Sequence, residues 1–170
     1  MICNKLEDCC DVALTGKIID GCPKLASCIV SRDNRPIVSC QEKNRQYSLK
    51  NTLENIVAHY RVDDGIITGT DSLKCDRLFV IGGDVRIGVL VELKGNDVAQ
   101  GIRQITATME QIPRLLNTCS RVHARIVATK AVPNLMATSR VTKLKAKLRA
   151  MHGTLEVRTR QYTEQDSRLL

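Results

Sequence analysis

Two acidic side chains and a lysine lie near the ends of two neighbouring predicted strands. Asp76 lies in the first strand-like run, residues 73–81, and the second run ends in Glu92-Leu93-Lys94. Residues i and i+2 of a strand share a face, so Glu92 and Lys94 point the same way and Leu93 points into the opposite layer. The apolar run at residues 89–91 is typical of a strand covered on both faces. An acid and a base at the end of such a strand indicate a functional site, because they are costly to hold there unless paired or bound to a metal.

The sequence Gly82-Gly83-Asp84 between the two runs predicts a hairpin turn. Pairing about this turn places the partner of Glu92 near position 74, within about two residues of Asp76. Two carboxylates and a backbone carbonyl, with water and phosphate in the remaining positions, commonly hold Mg²⁺. Lys94 would then orient a water molecule and offset charge that develops on phosphorus. The spacing therefore predicts metal-assisted attack on a phosphate ester.

These residues resemble the signature of the PD-(D/E)XK nuclease superfamily, which has the restriction-endonuclease-like fold. That signature is an Asp at or near a strand, a hairpin, and acid-x-Lys at the end of the next strand; here it is Asp76 followed by Glu92-Leu93-Lys94. One departure is Cys75 in place of a preceding proline. The resemblance covers roughly residues 48–130. It implies an α/β fold with a mixed central sheet flanked by helices, to which this chain adds an N-terminal β-hairpin extension.

Two further residues match positions that many members of this superfamily share. Glu54, on a helix predicted over residues 48–62, matches a glutamate on the helix before the sheet. Gln104, with Gln100 one turn earlier, matches a glutamine on the helix after acid-x-Lys. The resemblance implies that Glu54 supports a second metal or its water shell, and that Gln104 holds Lys94 or contacts the nucleic-acid backbone.

The resemblance also implies an activity. It implies a Mg²⁺-dependent endonuclease, with Mn²⁺ as an alternative ion, that hydrolyses phosphodiester bonds in nucleic acid, with DNA favoured over RNA as the substrate. The ion would be held by Asp76, Glu92 and the Leu93 carbonyl, and Lys94 would position the attacking water. The products would carry a 5′-phosphate and a 3′-hydroxyl. A homodimer is implied as well, because family members often dimerise to cut two strands.

The pattern of apolar residues predicts a single mixed α/β domain over residues 1–170. Residues 1–46 form an extension with a hairpin around Asp33-Asn34, residues 48–130 the nuclease-like core, and residues 131–170 a basic helix and a final strand. Within these parts the predicted elements are the helix 48–62, strands 73–81 and 85–94, the helix 97–112 capped by Asn96 or Asp97, the strand 121–130, the helix 134–151 and the strand 154–162. The tail after Thr163 is expected to fray.

Positive charge is concentrated in the last third of the chain. The net charge is +8, but residues 1–112 carry −1 and residues 113–170 carry +9. A one-sided cationic surface favours nucleic acid, and an aromatic content of 2% leaves little for base stacking, so contacts should go to phosphates. The predicted phosphate contacts are Arg121, Arg125, Arg140, Lys143, Lys145, Lys147 and Arg149.

Composition excludes several other classes of protein. The 170 residues are 43% hydrophobic, and no apolar run approaches the roughly 20 residues that span a bilayer. The polar N-terminal residues lack the apolar segment of a secretory signal, so a cytoplasmic protein is expected. Eight cysteines are then expected to be free and buried, with a zinc site near the N-terminus as the alternative. The sequence contains no Walker loop and no H-E-x-x-H motif.

Two other functions remain open from the residues alone. The chain could be a non-catalytic nucleic-acid-binding protein that keeps a nuclease-like fold, or an interaction protein whose basic third meets an acidic partner. In either case Glu92 and Lys94 could form a solvated charge pair at a strand end.

Overall fold

The computed structural model describes residues 6–15, 28–130 and 137–170. Its elements, in chain order, are α1 (Leu6–Thr15), β1 (Ile29–Asp33), β2 (Ile37–Glu42), β3 (Arg45–Lys50), β4 (Val57–Arg61), β5 (Arg77–Ile81), β6 (Ile87–Lys94), α2 (Val98–Gln111), α3 (Pro113–Leu116), β7 (Arg121–Ala128), α4 (Ser139–Ala150), β8 (Leu155–Thr159), β9 (Gln161–Gln165) and a 3₁₀ helix (Asp166–Leu169).

The main sheet has six strands in the order β1-β4-β5-β6-β7-β8. Strands β1, β4, β5 and β6 pair antiparallel, whereas β7 runs parallel to β6 and β8 parallel to β7. A parallel pair needs a crossover connection, and α2 lies in the crossover from β6 to β7. A second sheet of three strands, in the order β2-β3-β9, joins a hairpin to the C-terminal strand.

Both faces of the main sheet are covered. In β5, Leu78 and Val80 belong to a core shared with the helices, while Phe79 and Ile81 belong to a core shared with the second sheet. Because successive side chains of a strand point to opposite faces, a strand between two layers is apolar throughout. This explains why β5 and β6 contain few polar residues until Glu92 and Lys94.

Several predicted elements are confirmed, as is the mixed α/β class. The two predicted strands are β5 and β6, and Gly83 in the turn between them has φ of 109°, a left-handed conformation that favours glycine. The predicted helix 97–112 is α2, and its cap is Asp97, whose side chain accepts the Gln100 amide at 2.8 Å. Strand 121–130 is β7. The helix 134–151 is α4 in its described part, and residues 134–136 lie outside the described residues.

The helix predicted over residues 48–62 is wrong. This segment contains the end of β3, a turn, and β4. Its apolar residues fit a helical spacing, but β4 is buried from Val57 to Tyr60 because it lies between β1 and β5 and is covered on both faces. A short apolar run cannot by its spacing distinguish a buried strand from a helix.

The N-terminal hairpin and the C-terminal tail also differ from prediction. Strands β1 and β2 do not pair with each other, because β1 pairs with β4 and β2 pairs with β3. The predicted final strand is divided at Arg160, whose φ is 62°, so that β8 and β9 join different sheets. The tail does not fray, because Asp166 and Leu169 of the 3₁₀ helix are buried.

No helix in the described part of the chain is both long and apolar enough to span a membrane. The six cysteines in the described ranges are buried, and they are Cys9, Cys10, Cys28, Cys40, Cys75 and Cys119. Cys3 and Cys22, which also belong to the N-terminal cysteines of the zinc alternative, lie outside those ranges.

Candidate active site

Asp76 and Glu92 meet where β5 begins and β6 ends. The register pairs Arg77 with Val91, so the next position along places Asp76 directly opposite Glu92. The Asp76 amide donates to Glu92 Oε2 at 3.2 Å, and the Leu93 amide donates to Asp76 Oδ2 at 2.7 Å. The hairpin therefore brings the two acids together. The observed partner of Glu92 is position 76, two residues from position 74, which counting from the turn predicted.

The two carboxylates lie in a setting that disfavours negative charge. Glu92 is only 1% exposed. Burial raises the pKa of Glu92 to about 9, and repulsion from Asp76 adds to the rise while Lys94 opposes it. Burial also raises the pKa of Asp76, and the hydrogen bond from the Leu93 amide opposes that rise. A cation beside these acids would stabilise their ionised forms.

Lys94 is held in place by Gln104. The Lys94 Nζ donates to Gln104 Oε1 at 2.7 Å and lies 3.8 Å from Glu92 Oε1. Gln104 Nε2 in turn donates to the Lys74 carbonyl oxygen at 2.8 Å. The amide group of Gln104 therefore fixes the lysine head while leaving it partly exposed beside the acids.

One face of α2 positions the chain that leads into β5. The side chain of Gln111 donates to the Leu73 carbonyl at 2.6 Å, and the Cys75 amide donates to Thr108 Oγ1 at 2.8 Å. Together with the Gln104 contact to Lys74, these bonds fix three consecutive residues before Asp76. The helix also approaches β6 closely, because a Cβ at Gly101 would lie 3.4 Å from Glu92 Cγ.

Two residues near the site were not predicted, Asp63 and Lys74. The end of β4 lies beside Asp76, since the Val62 amide donates to the Asp76 carbonyl at 3.0 Å. Lys74 is buried, and its Nζ lies 3.2 Å from Asp63 Oδ1. Repulsion from Glu42 and Asp63 contributes to the raised pKa of Asp76. Asp63 follows an apolar run, and a prediction of that run as a strand would have placed it at this end of the sheet.

The structure does not bring Glu54 to the site, so its predicted role beside the acids is wrong. Strand β4 pairs antiparallel with β5, with Val57 opposite Ile81 and Arg61 opposite Arg77. The candidate site is at the Arg77 end, whereas Glu54 precedes Val57 at the hairpin end. Glu54 is exposed in a turn, where its φ is 55°.

The prediction that Arg125 contacts phosphate is wrong. Arg125 is 2% exposed and forms a bidentate pair with Glu164, at 2.7 Å from Nε to Oε1 and 3.0 Å from Nη2 to Oε2. Arg121 is half-buried at the opposite end of the sheet from the acids, because it pairs with Ile87 at the start of β6. Strand β7 therefore presents no basic face beside the site.

The other predicted contacts lie on α4, which buries Val141, Leu144 and Leu148. Its outer surface carries Arg140, Lys143, Lys147 and Arg149 as exposed residues and Lys145 as a half-buried one. A cleft of about 410 Å³ adjoins this region, and its lining includes Asp63, Lys74 and Gln104 but not Asp76, Glu92 or Lys94.

The donors at this site suit a hard divalent cation. Asp76 and Glu92 supply two carboxylates, and the Leu93 carbonyl lies between Glu92 and Lys94 in the chain. Within residues 6–15, 28–130 and 137–170, no group of three or more His, Cys, Asp or Glu side chains is placed to hold a metal. Mg²⁺ usually takes only one or two protein carboxylates and completes its shell with water and substrate phosphate, so two are enough.

Comparison of the chain with protein-family models, with curated proteins and with solved structures finds no match. The evidence for the candidate site is therefore the set of contacts among its own residues.

Proposed function

We propose that this protein is a metal-dependent nuclease that hydrolyses phosphodiester bonds, with DNA favoured over RNA as the substrate. The observation that carries the proposal is the meeting of Asp76 and Glu92 beside a lysine that Gln104 holds in place. A buried acid and a half-buried acid, both with raised pKa values, next to an anchored ammonium group are unusual in a purely structural region.

The arrangement of elements supports a restriction-endonuclease-like core of the PD-(D/E)XK type. The hairpin β5–β6, the helix α2 and the parallel strand β7 follow in the order hairpin, helix, strand that this resemblance implies. The expected helix at residues 48–62 is absent. The strand before the hairpin brings Asp63 towards the pair instead of Glu54, but Glu42 of β2 repels Asp76 more strongly and Asp63 is paired with Lys74, so support for a second cation would come from Glu42 or Asp63.

Each residue has a distinct task in the proposed reaction. Asp76, Glu92 and the Leu93 carbonyl would hold Mg²⁺ or Mn²⁺, which when bound supplies a Lewis acid for the phosphodiester. Lys94 donates a hydrogen bond to the attacking water and offsets the negative charge that grows on the phosphate oxygens. Gln104 keeps Lys94 in the orientation that this requires, because its amide also binds the Lys74 carbonyl.

The test is cleavage of labelled DNA by the purified protein with Mg²⁺ or Mn²⁺. We expect Glu92→Gln and Lys94→Ala each to lower the rate by about 100-fold or more, which is typical of removing a group that stabilises a transition state. DNA binding should remain. Glu54→Gln is the matched control and should cleave normally, because Glu54 is exposed at the other end of the sheet. Cleavage that survives in both site variants would remove the assignment.

A second function is favoured by the charge distribution. With a balance of +9 in residues 113–170, the chain could bind nucleic acid without cutting it. Tight, salt-dependent DNA binding with no cleavage in Mg²⁺ or Mn²⁺ would favour this function over the nuclease.

A further inference from the structure

A groove between α2 and α4 continues from the cleft beside the candidate active site. The cleft of about 410 Å³ and the groove of about 350 Å³ share one lining residue, Leu73, which is 42% exposed. Gln104, which holds Lys94, lines the cleft. A strand that leaves the acids across Leu73 would therefore enter the groove.

The groove combines cations with an apolar lining. Its cations are Arg103, Arg140, Lys143 and Lys147. The one acid among its lining residues is Glu110, and it is already paired with Lys147. Its apolar lining comes from Leu73, Ile102, Ala107 and Leu144. A ligand that matches this surface must carry several negative charges and also present apolar faces.

We infer that this groove binds an unpaired stretch of nucleic-acid strand, so that the substrate has a single-stranded segment next to the cut; the position of the cut rests on the proposed function. An unpaired base exposes both faces, which pack on aliphatic side chains and on arginine guanidinium planes such as those of Arg103 and Arg140. In a duplex these faces are stacked inside and cannot reach the lining. Phosphates of the same strand would meet Lys143, because Lys147 is paired with Glu110.

The test uses a Glu92→Gln background, so that binding is measured without cleavage. In that background the groove variant is Arg140→Gln/Lys143→Gln. The control variant is Lys50→Gln/Arg168→Gln, which removes the same charge from exposed residues that line neither the cleft nor the groove. The probes are a labelled single strand and a blunt duplex of the same sequence, titrated by fluorescence anisotropy. Thermal melts check that each variant folds.

We expect the groove variant to bind the single strand about tenfold more weakly and the duplex nearly as before. Its salt slope for the single strand should fall by about 0.7, which corresponds to the one lost phosphate contact of Lys143, while the change at Arg140 removes a contact to a base. The control should change either affinity less than about twofold. In the wild-type chain, a duplex with a single-stranded overhang should be cut faster than a blunt one.

Equal weakening of both probes by the groove variant would overturn the inference. So would binding of an acidic peptide such as polyglutamate in the groove when neither nucleic acid binds. The nuclease proposal can fail separately from the groove inference. If the wild-type chain cuts no substrate but the groove variant still binds the single strand more weakly, the groove inference holds and the nuclease proposal is wrong. If site variants abolish cleavage but overhang and blunt duplexes are cut equally, only the groove inference fails.

Discussion

At the scale of single residues, the most costly feature is the buried carboxylate of Glu92. Its two nearest polar contacts are the Asp76 amide at 3.2 Å and the Lys94 ammonium at 3.8 Å, and a second acid lies opposite. A charge in such a place lowers the stability of the fold unless it is neutralised by a proton or by a cation. Residues that destabilise a fold in this way are commonly those that carry its chemistry.

The raised pKa of Glu92 makes stability depend on pH. The carboxyl has an ordinary pKa of 4.5 and is raised by burial to about 9, so the folded state binds a proton more tightly than the unfolded state. The resulting stabilisation is complete below about pH 4.5 and is lost as the pH rises towards about 9. In Glu92→Gln this dependence is absent.

We therefore expect Glu92→Gln and the wild-type chain to differ by less than about 1 kcal/mol near pH 5 in EDTA, and the variant to be more stable near pH 8 by about 4–5 kcal/mol. Added Mg²⁺ should raise the melting temperature of the wild-type chain and leave that of Glu92→Gln nearly unchanged. If the difference in stability between Glu92→Gln and the wild-type chain is the same at pH 5 and pH 8, the pH dependence does not come from Glu92.

At the scale of elements, the two sheets are joined by a buried polar network. Glu164 on β9 accepts both hydrogen bonds from Arg125 on β7, and Tyr47 on β3 donates to Glu164 Oε1 at 2.9 Å. Tyr162 also donates to Glu164, at 3.2 Å. The network links three strands of two sheets, so the second sheet is fixed by charge as well as by apolar packing.

We expect Glu164→Gln to lower the free energy of unfolding by about 3–5 kcal/mol, because it leaves the Arg125 charge buried without its counter-charge. The double variant Arg125→Met/Glu164→Leu should regain much of that loss, since no buried charge remains. Chemical denaturation measures both values. A double variant no more stable than the single one would show that the network contributes through its hydrogen bonds instead of its paired charge.

At the scale of the whole molecule, the excess positive charge lies in a different part of the chain from the acids of the candidate site. Five of the twelve Lys and Arg residues of 113–170 lie on α4, which carries no acid and packs against α2, the helix of the candidate site. A cationic surface beside an acidic site attracts a polyanion and keeps its phosphates near the acids. The acids themselves repel those phosphates unless a metal cation lies between them.

Replacing Lys143, Lys145, Lys147 and Arg149 together by glutamine should weaken DNA affinity and flatten its dependence on salt. The slope of log K against log salt should fall by up to about 3, because each lost phosphate contact accounts for about 0.7–0.9. The Lys50→Gln/Arg168→Gln variant should keep the wild-type slope. A slope that is unchanged in the fourfold variant would rule out α4 as the contact surface.

Sequence alone predicted the elements whose signals are local. The turn Gly82-Gly83-Asp84 and the cap Asp97 marked the hairpin and α2, and with them the meeting of Asp76 with Glu92. Sequence could not predict what depends on distant partners. Arg125 has the spacing of an exposed strand residue, but its partner lies 39 positions away on a strand of another sheet. The burial of β4, similarly, comes from strands on either side of it.

The side chains of the candidate site come from one uninterrupted stretch of the chain. From Asp63 to Gln104 the acids, the lysine and the glutamine are separated by only about forty residues, and the strands and helix between them make the contacts that orient them. Contacts close in sequence form with little loss of chain entropy. Exchange of this stretch with that of a related scaffold would therefore transfer all the proposed catalytic residues together, whereas the proposed strand-binding groove also needs α4, which lies outside the stretch.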